Sequence, residues 1–293
     1  MKLKAPLRPV LYLLFVVTLV GVFVLVRFPY NLLERTVTAL VAEHWNLRLD
    51  LENIHPTLTA RLEFSGCSLQ KYDGSGPAIF AMGQGYLRPR ILPILTGQLG
   101  FSLRAKAYGG FLDGHFRLEP LFNAQKYYLD LNWQEVRLEE YPDTPFFGRN
   151  QASGKISGEV RFEGVLNEWI RSSGAGRLEL REGSFQVDSP YLRVRRLEGC
   201  AATATLKLAG GKVALDDCLF SGQGINGNLS GEVILQPKIT RSTLHLAGKC
   251  ELDGEMLKSN SKIKGIAEAL FKRNKPLPFK VEGTLAKPSI RIF

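Results

Sequence analysis

The sequence is short of the residues that carry covalent and metal chemistry. It has four cysteines and four histidines among 293 residues. No two cysteines form Cys-x-x-Cys, so a zinc or dithiol redox site has no support. The histidines, His44, His55, His115 and His245, are scattered. His115 and His245 fall on the outer faces of expected strands, where a lone histidine is ordinarily solvated. Gly-x-Ser-x-Gly, a Walker A loop and His-Glu-x-x-His are all missing, which removes the serine-hydrolase, P-loop and zincin readings. Glu139-Glu140 and Asp216-Asp217 are adjacent carboxylates beside expected turns, with no partner group in view. Gly222-Gln223-Gly224-Ile225-Asn226-Gly227 matches G-x-G-x-x-G. It opens a strand instead of a helix, so it reads as turn glycines and not a nucleotide loop. The expectation is a non-enzymatic protein with no cofactor and no metal.

One long hydrophobic run is present. Val10 to Val26 is broken only by Thr18 and Gly21. Seventeen helical residues span about 26 Å, close to the ~30 Å hydrocarbon core of a bilayer. Lys2, Lys4 and Arg8 precede the run and only Arg27 follows closely, which places the N-terminus in the cytoplasm. A cleaved signal peptide is the competing reading, but Leu25-Val26-Arg27-Phe28-Pro29 offers no small-x-small cleavage site. The expected layout is a cytoplasmic tail over 1–9, a transmembrane anchor over 10–27 and an exported domain over 28–293.

The formal net charge is +10. Export argues against nucleic acid, and no basic stripe is interleaved with aromatics on one element. Anionic lipid or an acidic partner surface fits better. Cys67, Cys200, Cys218 and Cys250 follow the anchor, where a disulfide is allowed and three pairings exist. The case for one is weak: Cys250 is in phase with Leu244, Leu246 and Leu252, as a small core residue would be. A hairpin at Gly210-Gly211 brings Cys200 near Ser221, away from Cys218.

After a short helix from Asn31 to His44, opened by an Asn31/Glu34 capping box, the hydrophobic period becomes two. Leu47, Leu49 and Leu51 alternate with Arg48, Asp50 and Glu52. Three later segments repeat one pattern, Gly-x-[Leu/Ile]-x-Gly-x-[Phe/Val]-x-[Leu/Phe]-x-[Pro/Gly], at 110–120, 154–164 and 227–237. Alternate side chains of a strand share a face. One face of each repeat is therefore apolar and the other charged, as in an antiparallel sheet with one side buried. Strand glycines on the apolar face mark a bend, a bulge or a close approach. Further expected strands lie at Leu58 to Phe64, around Gly109-Gly110, at Tyr127 to Trp133, in a hairpin of Leu178/Leu180 with Phe185/Val187 across Glu182-Gly183, and in a hairpin of Leu206/Leu208 with Val213/Leu215 across Gly210-Gly211. Ile91 to Leu95 is expected to be a helical turn, and Asn167 to Arg171 a short helix or loop. A last strand runs from Phe279 to Leu285. Residues 257–273 break the strand rhythm and fit a helix with a basic rim. That rim caps the sheet or rests on lipid headgroups, with Lys262, Lys264, Lys272 and Arg273 as candidate contacts.

The fold expected is mainly β: a long twisted antiparallel sheet curling into a groove or a flattened barrel, with an N-terminal transmembrane helix and a few short helices. Its apolar face is either a closed core or a groove that receives a guest. In the second case Leu112, Phe116, Leu118, Ile156, Val160, Phe162, Leu229, Val233 and Leu235 line it.

The order of these features resembles the type II secretion system protein N family, itself similar to the AsmA-like proteins of the bacterial envelope. The resemblance runs through the anchor, Leu47-Arg48-Leu49-Asp50-Leu51, Tyr86-Leu87-Arg88-Pro89 through Ile94-Leu95-Thr96-Gly97, the Gly-x-Leu-x-Gly strands and Phe279-Lys280-Val281-Glu282-Gly283-Thr284-Leu285-Ala286-Lys287-Pro288. It implies a single-pass inner-membrane protein with its bulk in the periplasm and an apolar concave sheet face. It implies one of two roles. One is an accessory or scaffold subunit of type II secretion, with other secretion subunits as partners. The other is binding or transfer of phospholipid for outer-membrane maintenance. Neither brings catalytic residues.

Overall fold

The computed structural model describes residues 47–57, 61–71, 78, 80–90, 97–119, 126–141, 152–186, 196–237, 241–252 and 276–292. It also describes Tyr12, Phe15, Val16, Leu19, Thr38, Ala39 and Ala42, all helical. Among the described residues no helix is long and apolar enough to cross a membrane. The helix expected over 257–273, with Lys262, Lys264, Lys272 and Arg273, lies outside them. So do the helical turn expected at 91–95 and most of the expected anchor.

The chain divides into two compact units, Met1–Arg88 and Pro89–Phe293. The first contains β1 (Leu47–Glu52), β2 (His55–Pro56), β3 (Leu62–Phe64), β4 (Gly66–Lys71), β5 (Phe80–Met82) and β6 (Gly85–Pro89, which ends one residue into the second unit). β4 pairs antiparallel with β1 and β5, and β3 pairs antiparallel with β2 and β6. Cys67 in β4 is buried opposite Leu51 of β1.

The second unit is one large antiparallel sheet. Its strands are β7 (Leu99–Ala107), β8 (Gly110–Glu119), β9 (Lys126–Arg137), β10 (Ala152–Val165), β11 (Ser173–Gln186), β12 (Arg196–Ala209), β13 (Lys212–Gly222), β14 (Ile225–Ile234), β15 (Thr243–Leu252), β16 (Leu277–Thr284) and β17 (Lys287–Ile292). Every strand pairs with its sequence neighbours, in order. β17 pairs only with β16, so the sheet stays open and the flattened-barrel alternative does not hold. The three repeats are β8, β10 and β14.

Tight turns explain the simple order. Tyr108 (φ 48°) and Gly109 (φ 69°) join β7 to β8, and Gly210 (φ 57°) and Gly211 (φ 79°) join β12 to β13. Two successive left-handed residues match the right-handed twist of the flanking strands. Leu208 then faces Val213 and Leu206 faces Leu215, as the alternation predicts.

The expected hairpin at Glu182-Gly183 is not there. β11 runs unbroken through these residues, and Glu182 (φ 53°) is an extra residue bulged between Leu180 and Gly183. A bulge switches which residues share a face. Leu178 and Leu180 point one way before it, and Gly183 and Phe185 occupy the same side after it. In sequence that phase change looked like a turn. Glu135 in β9, Gly199 in β12 and Asp217 in β13 do the same, each at positive φ and each at a register shift. Bulges also raise the local twist of a strand pair.

Candidate functional site: the apolar face of the sheet

The register lays apolar side chains in rows that run across the strands. One row starts with Phe101, Phe116, Leu129 and Phe162, passes Gly174 and Leu208, and continues through Val213, Val233 and Leu244 to Gly283 and Pro288. The next row starts with Leu103, Gly114, Leu131 and Val160. It then passes Gly176, Leu206, Leu215 and Gly231 to Leu246, Val281 and Ile290. Each row crosses all eleven strands from β7 to β17 without one polar side chain. At about 4.8 Å per strand step, such a row is roughly 48 Å long.

All nine residues picked out from the sequence fall on this face. Phe116, Phe162 and Val233 are in the first row, and Val160 is in the second. Leu112 lies opposite Trp133, which lies opposite Gly158. Ile156 faces Leu180, Leu229 faces Cys218 and Gly248, and Leu118 faces Leu99 and Tyr127. Leu235 follows β14, where its N–H donates to Gly211 O at 2.8 Å. All nine are half-buried.

The sequence reading left out most of the face. Leu129, Leu131, Trp133, Leu206, Leu208, Leu244 and Phe279 belong to it but carry no repeat glycine. Their alternation was visible; their place beside the repeat strands depends on pairing.

The glycines lower the floor without leaving it bare. A Cβ on Gly158 would stand 2.7 Å from Cζ2 of Trp133, whose ring lies over the glycine from the neighbouring strand. Gly227 lies under Phe220 in the same way, and Gly248 under Phe279, with 2.5 and 2.6 Å to a Cβ in those places. The Phe220 and Phe279 rings then meet edge-to-face, centroids 6.3 Å apart. Aromatic rings thus lie flat on the sheet where glycine faces them.

Little covers this surface among the described residues. Among the described residues the buried apolar side chains are three alanines, three cysteines and only three leucines, Leu244, Leu246 and Leu277. Ile290, on the same face in β17, is 68 % exposed. Between β9 and β13 the face deepens into a hollow of about 300 Å³, walled by Val160 and Phe162 on one side and Leu206 and Leu208 on the other. Among the described residues that line it, the polar side chains meet at the lip: Tyr127 Oη lies 2.6 Å from Ser172 Oγ, and Ser172 is only 1 % exposed.

The opposite face is mainly polar and ion-paired across strands, with Phe111 and Leu219 exposed among the charges. Arg104 meets Asp113 at 2.6 Å, Lys207 meets Asp216 at 2.8 Å and Lys212 meets Glu232 at 3.1 Å. The hydrogen bond to Asp216, aided by its charge, holds the Lys207 ammonium above its usual range. A wider hollow of about 820 Å³ lies on this side. Two of the three arginines that line it are already matched: Arg117 stacks 4.4 Å over Tyr128 and pairs with Glu119 at 3.1 Å, and Arg161 is 3.6 Å from Asp130. The larger hollow therefore makes a weaker case for a site than the smaller apolar one. His115 and His245 are exposed on this face, His115 with Nδ1 3.1 Å from Ser102 Oγ. The four cysteines are free thiols, and burial pushes all four upward. Among the described residues no cluster of histidine, cysteine or carboxylate side chains could hold a metal ion. No family model, no curated protein and no solved structure matches this chain.

Proposed function

We propose that the apolar face is the floor of an open groove for acyl chains, and that the protein is an AsmA-like phospholipid-binding or lipid-transfer protein of the bacterial envelope. The observation that carries this reading is the pair of polar-free rows spanning eleven strands, most of their side chains half-buried and without a covering layer among the described residues. Each methylene taken from water onto such a surface is worth ~0.8 kcal/mol, so an acyl chain lying across it gains several kcal/mol without a specific polar contact. The secretion-scaffold role shares the sequence resemblance but draws nothing from this face.

The N-terminal run supports the same reading. Tyr12, Phe15, Val16 and Leu19 are helical and 72, 62, 52 and 58 % exposed, as side chains facing lipid would be. A helix over 10–27 spanning the inner membrane would hold the sheet in the periplasm, beside the bilayer that supplies lipid.

The test uses the full chain and vesicles of phosphatidylethanolamine and phosphatidylglycerol carrying a fluorescent phospholipid. The wild-type protein should extract labelled lipid, and native mass spectrometry should show phospholipid bound. Val160→Asp should lose extraction while keeping its circular dichroism, because in an open groove the carboxylate stays hydrated. If Val160→Asp unfolds instead, the face is a closed core, since a buried unpaired charge is far too costly. Wild-type protein that takes up no lipid overturns the proposal.

A further inference from the structure

The hollow between β9 and β13 has the form of a seat for one acyl chain. Its axis follows β11, where Gly174 and Gly176 carry no side chain of their own and Phe162 and Val160 lean across from β10. Leu206 and Leu208 of β12, opposite the same two glycines, form the other wall. Between these walls runs a furrow one strand wide. It begins at the edge of the sheet, where Ser172 precedes β11, and runs inward past Gly176. If a methylene takes about the ~30 Å³ share of a water molecule, the roughly 300 Å³ of the hollow holds on the order of ten of them. That suits the first part of one alkyl chain and is too small for two.

The lip gives this furrow a direction. Tyr127 comes from β9 and Ser172 from the end of the 3-10 segment Leu166–Arg171. They meet because Gly164 leaves room: a Cβ there would collide with Ser172 Oγ. The two hydroxyls bring two hydrogens to their contact, and the bond between them uses one. The second hydrogen remains to be donated at the mouth of an otherwise apolar furrow. A carbonyl oxygen attached to an alkyl chain is the acceptor that matches a donor at the mouth and an oily wall beyond it.

We infer that the furrow over β11 binds one ester-linked acyl chain of a glycerophospholipid, its carbonyl accepting from the Tyr127–Ser172 pair and its methylenes lying between Val160/Phe162 and Leu206/Leu208. This rests on the groove reading and adds a place, a polarity and a single-chain stoichiometry to it. The headgroup then stays at the edge of the sheet in water, which suits a protein that must take lipid from a bilayer and give it up again.

The test is photo-crosslinking of the full chain with phosphatidylglycerol bearing a diazirine either next to the acyl carbonyl or at mid-chain, with adducts mapped by peptide mass spectrometry. The carbonyl-end probe should mark peptides holding Tyr127 and Ser172, and the mid-chain probe those holding Val160 and Leu206. Tyr127→Phe keeps the ring and removes the hydroxyl. It should lower carbonyl-end adducts about fivefold, the factor that one ordinary hydrogen bond carries. Leu206→Trp should abolish mid-chain adducts by filling the furrow, and circular dichroism checks that it folds. Adducts spread evenly over β7 to β17 would overturn the seat while leaving the groove reading intact. No adducts with either probe would sink both. A diazirine fatty acid that labels the same peptides more strongly than the phospholipid would overturn the assignment to an esterified chain.

Discussion

Gly158 has no side chain, and that decides where Trp133 lies. Valine at this position would put its Cβ 2.7 Å from the indole and 2.6 Å from Arg177 O. The ring would have to rise off the sheet. Overpacking of this kind costs about 1–3 kcal/mol, so Gly158→Val should lower the urea midpoint of the full chain accordingly. Gly158→Val should also raise the exposure of Trp133, read by acrylamide quenching in a variant keeping Trp133 as the sole tryptophan. A midpoint unchanged from wild type would mean that the ring does not rest on the glycine. The Cys67 thiol tests burial in the same way. Burial pushes its pKa up to about 11, because the thiolate would lose its water. At pH 8 only roughly one Cys67 in a thousand is then thiolate. A disulfide reagent should leave it almost untouched in the native protein and modify it fully in denaturant. The sign for stability follows. Below the ordinary thiol pKa near 9, both states are protonated and stability is at its full value. As pH rises from there toward 11, the unfolded chain ionises and the folded one resists, so stability falls. Cys67→Ser should flatten that part of the pH profile.

At the scale of a strand, β11 is the instructive case. Its residues before and after Glu182 alternate perfectly, but in opposite phase. Period-two reasoning finds both halves and cannot tell a bulge from a two-residue turn, because each only shifts the phase. Here the tertiary pairing decides: Ala152 of β10 and Leu197 of β12 both lie opposite Phe185, so the strand must continue. Glu182 takes up the left-handed conformation at a cost that glycine would not have. Glu182→Gly should be neutral or stabilise by up to ~1 kcal/mol, even though it gives up the exposed pair with Lys155 at 3.0 Å. Glu182→Val, β-branched and badly suited to positive φ, should destabilise by about 1–3 kcal/mol. Equal midpoints for the two variants would mean that position 182 is not left-handed. The turn at Gly210-Gly211 was legible for the opposite reason. Two glycines flanked by matched alternation on both sides leave one register that keeps both apolar sets on one face.

At the scale of the molecule, one oily face and one ion-paired face have different consequences in solution. The cross-strand ion pairs are exposed, and pairs of that kind contribute about 0–1 kcal/mol each and are screened by salt. They bias register more than they add stability. The oily face is what a solvatochromic dye should find. Native full-length protein should enhance anilinonaphthalene sulfonate fluorescence without denaturant, and a short-chain phospholipid should displace the dye in competition. Enhancement only on partial unfolding would mean that the face is covered in the native state. On the groove reading proposed above, the net charge of +10 would add attraction to anionic lipid.

Composition and local alternation determined, without any structure, that this chain builds strands, that one side of them is apolar, and that three of them repeat a glycine-spaced unit. Those properties belong to neighbours along the chain, and a period of two is a local quantity. Which strands stand side by side, where the phase reverses and whether the sheet closes on itself were decided only by the tertiary structure. Each depends on hydrogen bonds between residues far apart in sequence, and bulged residues such as Glu135, Glu182 and Asp217 carry no local mark that separates them from the ends of strands.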